Sequence, residues 1–540
     1  MLSYRKLAMR VLGRPLHTGG GGIDSPRPAS QRAAAFVLTA AMLITLAAPA
    51  FAGTWYIEDG NITISAGTEA GTNKVEQVGK DTVNNDKDTV ITNREDKASS
   101  HTVTIETNDK NDKVEVTLKD VNIDTSSRKK AAVSVTGEGD TNIKLDGDNA
   151  LKSDIYHSGI YGSGSGSLTI SGGENDSLTA QGGSGANGIS SSGSLTISGG
   201  TVTANGDDGG HGIYSRGGVT ISGGSTVTAN GRSGTISGGD GIRSDGGVTI
   251  SGGTVNATGG NGGTISGGDG IRSGGGLTVS DGTVTAKGGN GDSKDGYGGD
   301  GIRSGGVVTI SGNTVNAAGG YGGKVGGYGI CSFDRVAISG GTVEAAGGNG
   351  STGGGSGIYS SGIDLSGSLE LTAKAGSPTG KALLQNGSEL ELDTIKDKLG
   401  PGAKVTVTDA DGKVIDQVSI PRPVEPEESS SSSDGGSAAP SSPASPLPGL
   451  TVTDKSGAVI SYTSTQSGNT LTVCVGRLTA SLRISLAALR QLRAEGIETI
   501  TFQTILCSTT LSVDELLAMG GEDAEAVLTH RSTDSSLTVG

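Results

Sequence analysis

The stretch from residue 240 to residue 273, DGIRSDGGVTISGGTVNATGGNGGTISGGDGIRS, decides the fold because it begins and ends on the same motif. Between the two motifs lie two short alternations of apolar and polar residues, Val248 to Ile250 and Val255 to Ala257. Alternation with a period of two is typical of β-strands, and glycine tolerates the positive φ angles of tight turns. One repeat therefore contains three short strands, counting the motif itself, and three turns.

The motif Gly-Ile-x recurs on both sides of this stretch at a spacing close to 28 residues. Its isoleucines are Ile160, Ile189, Ile213, Ile242, Ile271, Ile302, Ile330 and Ile358. Three strands and three turns match one coil of a parallel β-helix, in which equivalent strands stack about 4.8 Å apart. The two rivals, a calcium-binding nonapeptide roll and a β-propeller, need periods of about nine and about 40 residues. We predict an all-β fold, a right-handed parallel β-helix of roughly a dozen coils, followed by a small α+β domain.

The composition limits what else the chain can be. Of 540 residues, 98 are Gly and only 15 are aromatic, which excludes an ordinary globular enzyme domain, and 13 prolines are too few for collagen. The net charge of −15 repels a phosphate backbone, so we predict no nucleic-acid partner. Three cysteines are too few for a disulfide framework, although Cys474 and Cys507 lie in one segment and a bond between them is one alternative.

The N-terminus has the pattern of a secretory signal. The apolar run from Ala33 to Ala48 follows a basic stretch, and Ala50 and Ala52 form a cleavage site before Gly53. The alternative is an uncleaved signal anchor, because the run is just long enough to span a bilayer. We predict these segments: signal peptide 1–52, N-terminal cap and first coils 53–150, glycine-rich coils 151–400, hairpin or cap 401–421, Pro/Ser-rich linker 422–449, and α+β domain 450–540.

Three successive coils carry an arginine and an aspartate at the same positions. Because coils stack in register, Arg243, Arg272 and Arg303 should form one row on the outer surface. The aspartates Asp240, Asp269 and Asp300 should form a neighbouring row near the turn. One interpretation is that the aspartates simply neutralise the arginines. The other is that the arginines present forked donors to the carboxylates of an acidic polysaccharide.

Two further residue sets are candidates for ligand binding. Tyr161, Tyr214 and Tyr359 share the arginine column, where a tyrosine ring suits stacking on a sugar, although surface tyrosines are common. Four aspartates in the longer turns could bind Ca²⁺ through carboxylate and backbone oxygens, or simply face water. They are Asp207, Asp208, Asp292 and Asp295.

Catalysis finds little support in the sequence. The five histidines, His17, His101, His157, His211 and His530, fall in no metal or triad spacing. A lyase would need a basic residue beside calcium-binding carboxylates, for which Arg303 with Asp292 or Asp295 is the nearest match, but long cleft-forming loops are missing. We therefore expect no enzyme activity.

Several segments resemble a known family. The carriers of the resemblance are Val114 to Asp124, Thr141 to Leu151 and the Ser-Leu-Thr-Ile-Ser-Gly-Gly coils. They resemble secreted clostridial-type carbohydrate-binding domain proteins, over roughly Gly53 to Asp393. The resemblance implies a right-handed parallel β-helix similar to polysaccharide lyases, calcium, and binding of cellulose or acidic sugars such as polygalacturonate.

These observations predict a secreted or cell-surface monomer that binds polysaccharide without catalysis and has no membrane span after signal cleavage. One alternative is an adhesin-like spacer without glycan affinity. The other is a calcium-dependent polysaccharide lyase.

Overall fold

The structure is a computed structural model that describes residues 53–421 and, with short gaps, residues 449–539. The later described stretches are 449–454, 459–460, 462–467, 469–475, 479–504, 508–519, 524–531 and 534–539. The signal, nearly all of the linker, and Cys507 therefore lie outside the described residues. The described chain divides into two compact units, one up to residue 421 and one from residue 449.

The first unit is a β-solenoid of about 13 turns spaced about 28 residues apart, which confirms the predicted β-helix. Each turn adds one strand to each of three parallel sheets. Sheet 1 contains the Gly-Ile-x strands: Ile62–Ala66, Val103–Thr107, Val133–Gly137, Ile160–Gly162, Ile189–Ser191, Ile213–Ser215, Ile242–Ser244, Ile271–Ser273, Ile302–Ser304, the starts of Ile330–Ala346 and Ile358–Lys374, and Leu383–Gln385.

Sheets 2 and 3 complete each coil. Sheet 2 contains Thr54–Tyr56, Val90–Thr92, Lys113–Lys119, Asp140–Asp146, Leu168–Ser171, Leu195–Ile197, Val219–Ile221, the first parts of Val248–Thr258 and Leu277–Lys287, Val308–Ile310, and the middles of the two long strands. Sheet 3 contains Asn122–Asp124, Asp148–Lys152, Ser177–Gln181, Thr201–Asn205, Thr226–Asn230, the second parts of Val248–Thr258 and Leu277–Lys287, Thr314–Ala318, the ends of the two long strands, and Lys404–Thr408.

The interior is filled by columns of aliphatic side chains rather than by aromatic ones. In sheet 1, Ile242, Ile271 and Ile302 lie in register and are fully buried. The serines two positions later, such as Ser244 and Ser273, are also buried, and each donates to a glycine carbonyl of the preceding coil. Period-two alternation thus places every second residue inside, which is how a chain with few aromatic residues obtains a continuous core.

The ends of the β-helix are closed by antiparallel pairs. At the N-terminal end, Asn73–Gln77 pairs with Ile62–Ala66 and with Val83–Asp86. There the buried Asp86 carboxylate accepts from the backbone N–H of Gly53 at 2.8 Å and from Nε1 of Trp55 at 2.9 Å. At the other end are the remaining antiparallel strands and a 3-10 helix: Ser388–Glu389, Val414–Ser419 and Leu392–Lys398, with a second 3-10 helix, Ile57–Asp59, near the start. These pairs cover strand edges that would otherwise be open to association.

Five consecutive coils project a longer loop between sheet 3 and sheet 1. We call these side loops; they comprise residues 231–239, 259–268, 288–299, 319–327 and 347–355. Neighbouring side loops pair with each other, for example Gly262 with Gly291 and Ser266 with Tyr297. Each loop closes at a neck of glycines, where the N–H of Gly268 donates to the carbonyl of Gly260 at 2.8 Å.

The second unit combines two four-stranded sheets with two short helices. One sheet has the order Leu450–Thr453, Ala480–Ser485, Glu525–Arg531, Asp534–Val539, and the other Thr463–Ser467, Thr470–Cys474, Thr499–Gln503, Ser508–Ser512. Helix α1, Leu486–Ala494, begins at Ser485, whose hydroxyl accepts from the N–H of Ala488, and helix α2 is Val513–Met519.

Candidate functional site

The three arginines of the repeated motif form one row on sheet 1. Arg243 pairs in register with Arg272, and Arg272 with Arg303, so the side chains follow each other at the coil spacing. Their flanking isoleucines and serines point inward, which turns the arginines outward. The side chains are 36, 44 and 35% exposed, so each guanidinium can reach solvent. We call these residues the arginine row.

The aspartates do not form an exposed outer row; they are buried at the point where the side loops return to sheet 1. Asp240, Asp269 and Asp300 are 4, 5 and 3% exposed. The Oδ1 atom of Asp240 accepts from the N–H of Asp269 at 2.7 Å, and Oδ1 of Asp269 accepts from the N–H of Asp300 at 2.7 Å. The Oδ1 atom of Asp300 accepts in the same way from Tyr328 at 2.7 Å. We call the three aspartates the aspartate ladder.

The second carboxylate oxygen of each ladder residue faces the arginine of its own coil. The Nη1 to Oδ2 distances are 3.8 Å from Arg243, 3.7 Å from Arg272 and 3.3 Å from Arg303. Each arginine therefore lies within ion-pair distance of a ladder carboxyl group, across the boundary between a buried aspartate and a half-exposed guanidinium. The ladder continues upward to His211, whose Nδ1 accepts from the N–H of Asp240 at 2.7 Å.

Burial dominates the proton affinity of these groups. Burial first, and then the charge of the neighbouring aspartate, raise the pKa of Asp269 and of Asp300 to about 7. Burial also raises the pKa of Asp240. The arginines act in the opposite direction, but desolvation of a carboxylate outweighs them here. Burial, helped by the charges of the nearby arginines, lowers the pKa of His211 to about 4, so this ring is neutral at pH 7.

The arginine row and the side loops enclose a groove of about 470 Å³. One wall is the row, and the other is the returning half of the side loops, including Ser266 and Tyr297. Its floor is built from neck glycines such as Gly268 and from the aspartate ladder. The groove crosses the coils from His211 to Tyr328, a run of four coil spacings, or about 19 Å. It therefore suits an extended chain that runs along the helix axis.

The predicted tyrosines lie in the arginine column but differ in their distance from the groove. Tyr214 is the register partner of Arg243, lies 5.9 Å from its guanidinium, and donates to Asp245 at 2.7 Å. Tyr161 lies two coils before Tyr214. Tyr359 lies two coils after Arg303 and stacks on Tyr328 with ring centroids 4.9 Å apart.

Three groove residues and one neighbour of the arginine row were missed in the sequence as binding candidates. Tyr297 and Tyr328 line the groove, Phe333 lies 5.0 Å from the Arg303 guanidinium, and His211 lies at the start of the ladder. The position directly before Gly-Ile is occupied in successive coils by His211, the three aspartates and Tyr328. These residues form one column, and their polar side chains at this fixed position are the sequence pattern that could have identified them. Tyr297 lies in a side loop. Because the side loops differ in length, the coil period of the sequence does not show which loop residues lie next to each other.

The comparison with protein families matches the middle of the chain. Residues 97–354 match the family model described as "carbohydrate-binding domain-containing protein". The match includes every coil that lines the groove. The β-helix is therefore similar to this family over residues 97–354. We call this stretch the carbohydrate-binding domain, after the description of the family; it contains the arginine row, the aspartate ladder and the side loops that line the groove. Searches of curated proteins and of solved structures find no match.

The four aspartates proposed as calcium ligands do not come together in the carbohydrate-binding domain. Asp207 and Asp208 precede the strand Ile213–Ser215, whereas Asp292 and Asp295 precede Ile302–Ser304. These strands are three coil spacings, or about 14 Å, apart. Among the described residues, no group of three or more His, Cys, Asp or Glu side chains could hold a metal ion. The residues thus do not offer a carboxylate ligand set, and calcium binding stays a prediction.

In the described part of the chain, no helix has the length and apolarity that a membrane crossing requires.

Proposed function

We propose that the carbohydrate-binding domain binds an acidic polysaccharide along the groove, with the arginine row as its principal contact. The observation that carries this proposal is three half-exposed guanidinium groups at one coil spacing along a groove within the matched region. Planar guanidinium groups donate two hydrogen bonds at once to a carboxylate, and Lys cannot reproduce that geometry. A chain with a carboxylate on successive sugars, such as polygalacturonate, presents acceptors at a comparable pitch.

Aromatic rings at the two ends of the row favour a sugar over a simple anion. Tyr214 precedes Arg243 in the column, and Tyr328 and Phe333 lie beyond Arg303. An aromatic ring offers an apolar face to the apolar face of a pyranose. A polyanion without sugar rings, such as polyglutamate, should therefore bind more weakly than polygalacturonate at equal charge.

The test is isothermal titration calorimetry with de-esterified polygalacturonate fragments. Replacing Arg243, Arg272 and Arg303 together with Gln removes three charged contacts worth about 1 kcal/mol each, so affinity should fall about a hundredfold. The matched control replaces the exposed Arg128, Arg216 and Arg490 with Gln, which changes the net charge equally. Equal affinity of the two triple variants would contradict the proposal.

We propose that binding occurs without catalysis. Burial lowers the pKa of Arg303, but the carboxylates of Asp300 and Asp269 together raise it more, so this arginine keeps its proton and is unsuited to act as a lyase base. The check is ultraviolet absorbance from the unsaturated product of β-elimination during incubation with polygalacturonate. A rise that the triple arginine variant lacks would establish a lyase instead.

We also propose that the protein is exported through residues 1–52 and acts outside the cell. N-terminal sequencing of the exported chain should begin at Gly53. Adding EDTA to the calorimetry tests the calcium prediction, because affinity should fall only if calcium takes part in binding.

A further inference from the structure

The groove has an unusual floor, because its three positive charges lie directly over three buried carboxyl groups. In each ladder residue one oxygen accepts a backbone N–H of the next coil, and the other faces an arginine at 3.3–3.8 Å. Asp240 Oδ2 is buried and makes no hydrogen bond within the described structure. Its neighbours are Arg243 at 3.8 Å and Nδ1 of His211 at 3.6 Å.

The protonation of the ladder decides how the arginine row meets a ligand. With all three aspartates ionised, the row is neutralised from below. A carboxylate that arrives from the groove must then compete with a buried carboxylate and is repelled by it. With an aspartate protonated, its arginine is released for the ligand, and the repulsion at that coil is gone. The hydrogen bond to the next coil survives protonation, since Oδ1 needs only to accept.

We propose that Asp240, Asp269 and Asp300 are specificity-determining residues of the groove: the ladder takes up protons when an acidic chain binds the arginine row. This inference rests on the proposed function, namely that the row binds acidic polysaccharide. Its consequence is that the groove accepts acidic chains best at mildly acidic pH. Neutral glucans such as cellulose fragments should bind without proton uptake.

The other charged and titratable groups around the ladder leave the aspartates as the proton acceptors. The facing cations are the three arginines, and the pKa of His211 is lowered to about 4 by burial first and by Arg243 and Arg272 second. Burial raises the pKa of Cys331 and of Tyr328, so both stay protonated near neutral pH. Asp245 near Arg243 is exposed, with its side chain 46% accessible. Burial and mutual repulsion hold the pKa of Asp269 and Asp300 at about 7.

The sign of the pH dependence follows from the ligand charge. A bound carboxylate disfavours ionised aspartates and raises their pKa further, so binding takes up protons between the free and bound pKa values. Affinity should therefore fall as pH rises from 6 to 8, by up to about tenfold per pH unit for each proton taken up.

The experiment is calorimetry with polygalacturonate fragments at pH 7 in buffers of different ionisation enthalpy, such as phosphate and Tris. The dependence of the observed enthalpy on buffer enthalpy gives the number of protons taken up. We expect uptake by the wild type and none by Asp269→Asn/Asp300→Asn. In that variant the amide oxygen can still accept the backbone N–H and the charge is gone. The variant should also keep its affinity at pH 8. Asp245→Asn, which removes an exposed carboxylate from the same neighbourhood, should take up as many protons as the wild type.

The possible results separate this inference from the proposed function. Binding without proton uptake would overturn the inference and leave the proposed function intact. Absence of binding would overturn the proposed function. The protonation of the aspartate ladder would then be measured in the protein without ligand. For that, infrared difference spectra between about pH 5.5 and pH 8.5 should show a carboxyl C=O band that Asp269→Asn/Asp300→Asn lacks. If no such band titrates in the wild type, the inference fails whether or not polysaccharide binds.

Discussion

Replacing Gly268 with Ala tests whether the glycine necks hold the side loops and the groove floor in place. A Cβ atom built on Gly268 would lie 2.0 Å from the carbonyl oxygen of Gly239 in the preceding coil and 2.4 Å from its carbon. The φ angle of Gly268 is not in the left-handed region, so the backbone conformation suits alanine. The substitution therefore tests close approach alone.

The expected cost follows from the hydrogen bonds around the neck. To reach ordinary contact the added methyl group must move by at least about 1 Å, which separates two coils that are bonded to each other. The bonds affected are Gly260 N–H to Gly239 and Gly268 N–H to Gly260, both 2.8 Å. Losing them costs about 0.5–1.5 kcal/mol each, and overpacking adds about 1–3 kcal/mol. We expect the free energy of unfolding to fall by about 2–6 kcal/mol.

Urea denaturation followed by far-ultraviolet circular dichroism measures the change. Trp55, the single tryptophan, lies near the N-terminal end, and its fluorescence reports whether distant coils unfold at the same urea concentration. Gly224→Ala is the matched control, because nothing lies within 4 Å of a Cβ there and its φ angle is also ordinary. Equal urea midpoints for Gly268→Ala and Gly224→Ala would refute the conclusion that the glycine necks require a close approach of neighbouring coils.

Three further predictions concern the ladder, the N-terminal cap and the serine column. Burial in the folded state raises the pKa of Asp300 to about 7 from 3.8, so the stabilisation from its protonated form is complete below about pH 4 and is lost progressively as pH rises to 7. Asp300→Asn should thus raise the unfolding free energy by roughly 2–4 kcal/mol at pH 8 and by less than half of that at pH 5, as checked by urea titration at both values. Cleavage before Gly53 would place an α-ammonium group on Asp86, so Asp86→Ala should lower the melting temperature more in a chain starting at Gly53 than in one with residues before it. Ser273→Ala removes a buried hydroxyl that donates to Gly246 and Gly276, and calorimetric melting should show a loss of about 1 kcal/mol, whereas no loss would mean that water replaces the bonds.

The period of the sequence was enough to predict the coils and the arginine row. Ile242, Ile271 and Ile302 mark the register, and any residue at a fixed distance from them must form a column. That is why the row of Arg243, Arg272 and Arg303 could be named before the structure was known. The period shows which residues of successive coils lie next to each other, and the prediction of the arginine row required no other information.

The burial of the aspartates could not be read from the same pattern. Asp240, Asp269 and Asp300 lie among glycines, so no apolar neighbour indicates which way they face. They directly follow the side loops, whose lengths vary between coils. Tyr297 lies opposite Arg272 and Arg303 in the groove. Contacts between a loop and a distant column depend on loop conformation, which strand alternation does not determine.

The groove is built from repeated units, because each of several coils carries a complete set of groove residues. This repetition affects how the protein can evolve. Each coil between Ile242 and Ile302 brings its own arginine, its own aspartate and its own neck glycines. An in-frame duplication of one such coil, for instance residues 242–270, would lengthen the groove by one step while adding one arginine to the row and one aspartate to the ladder and keeping both closed ends. The length of polysaccharide that the groove holds could thus change in evolution through the number of coils, without any new contact having to arise by point mutation.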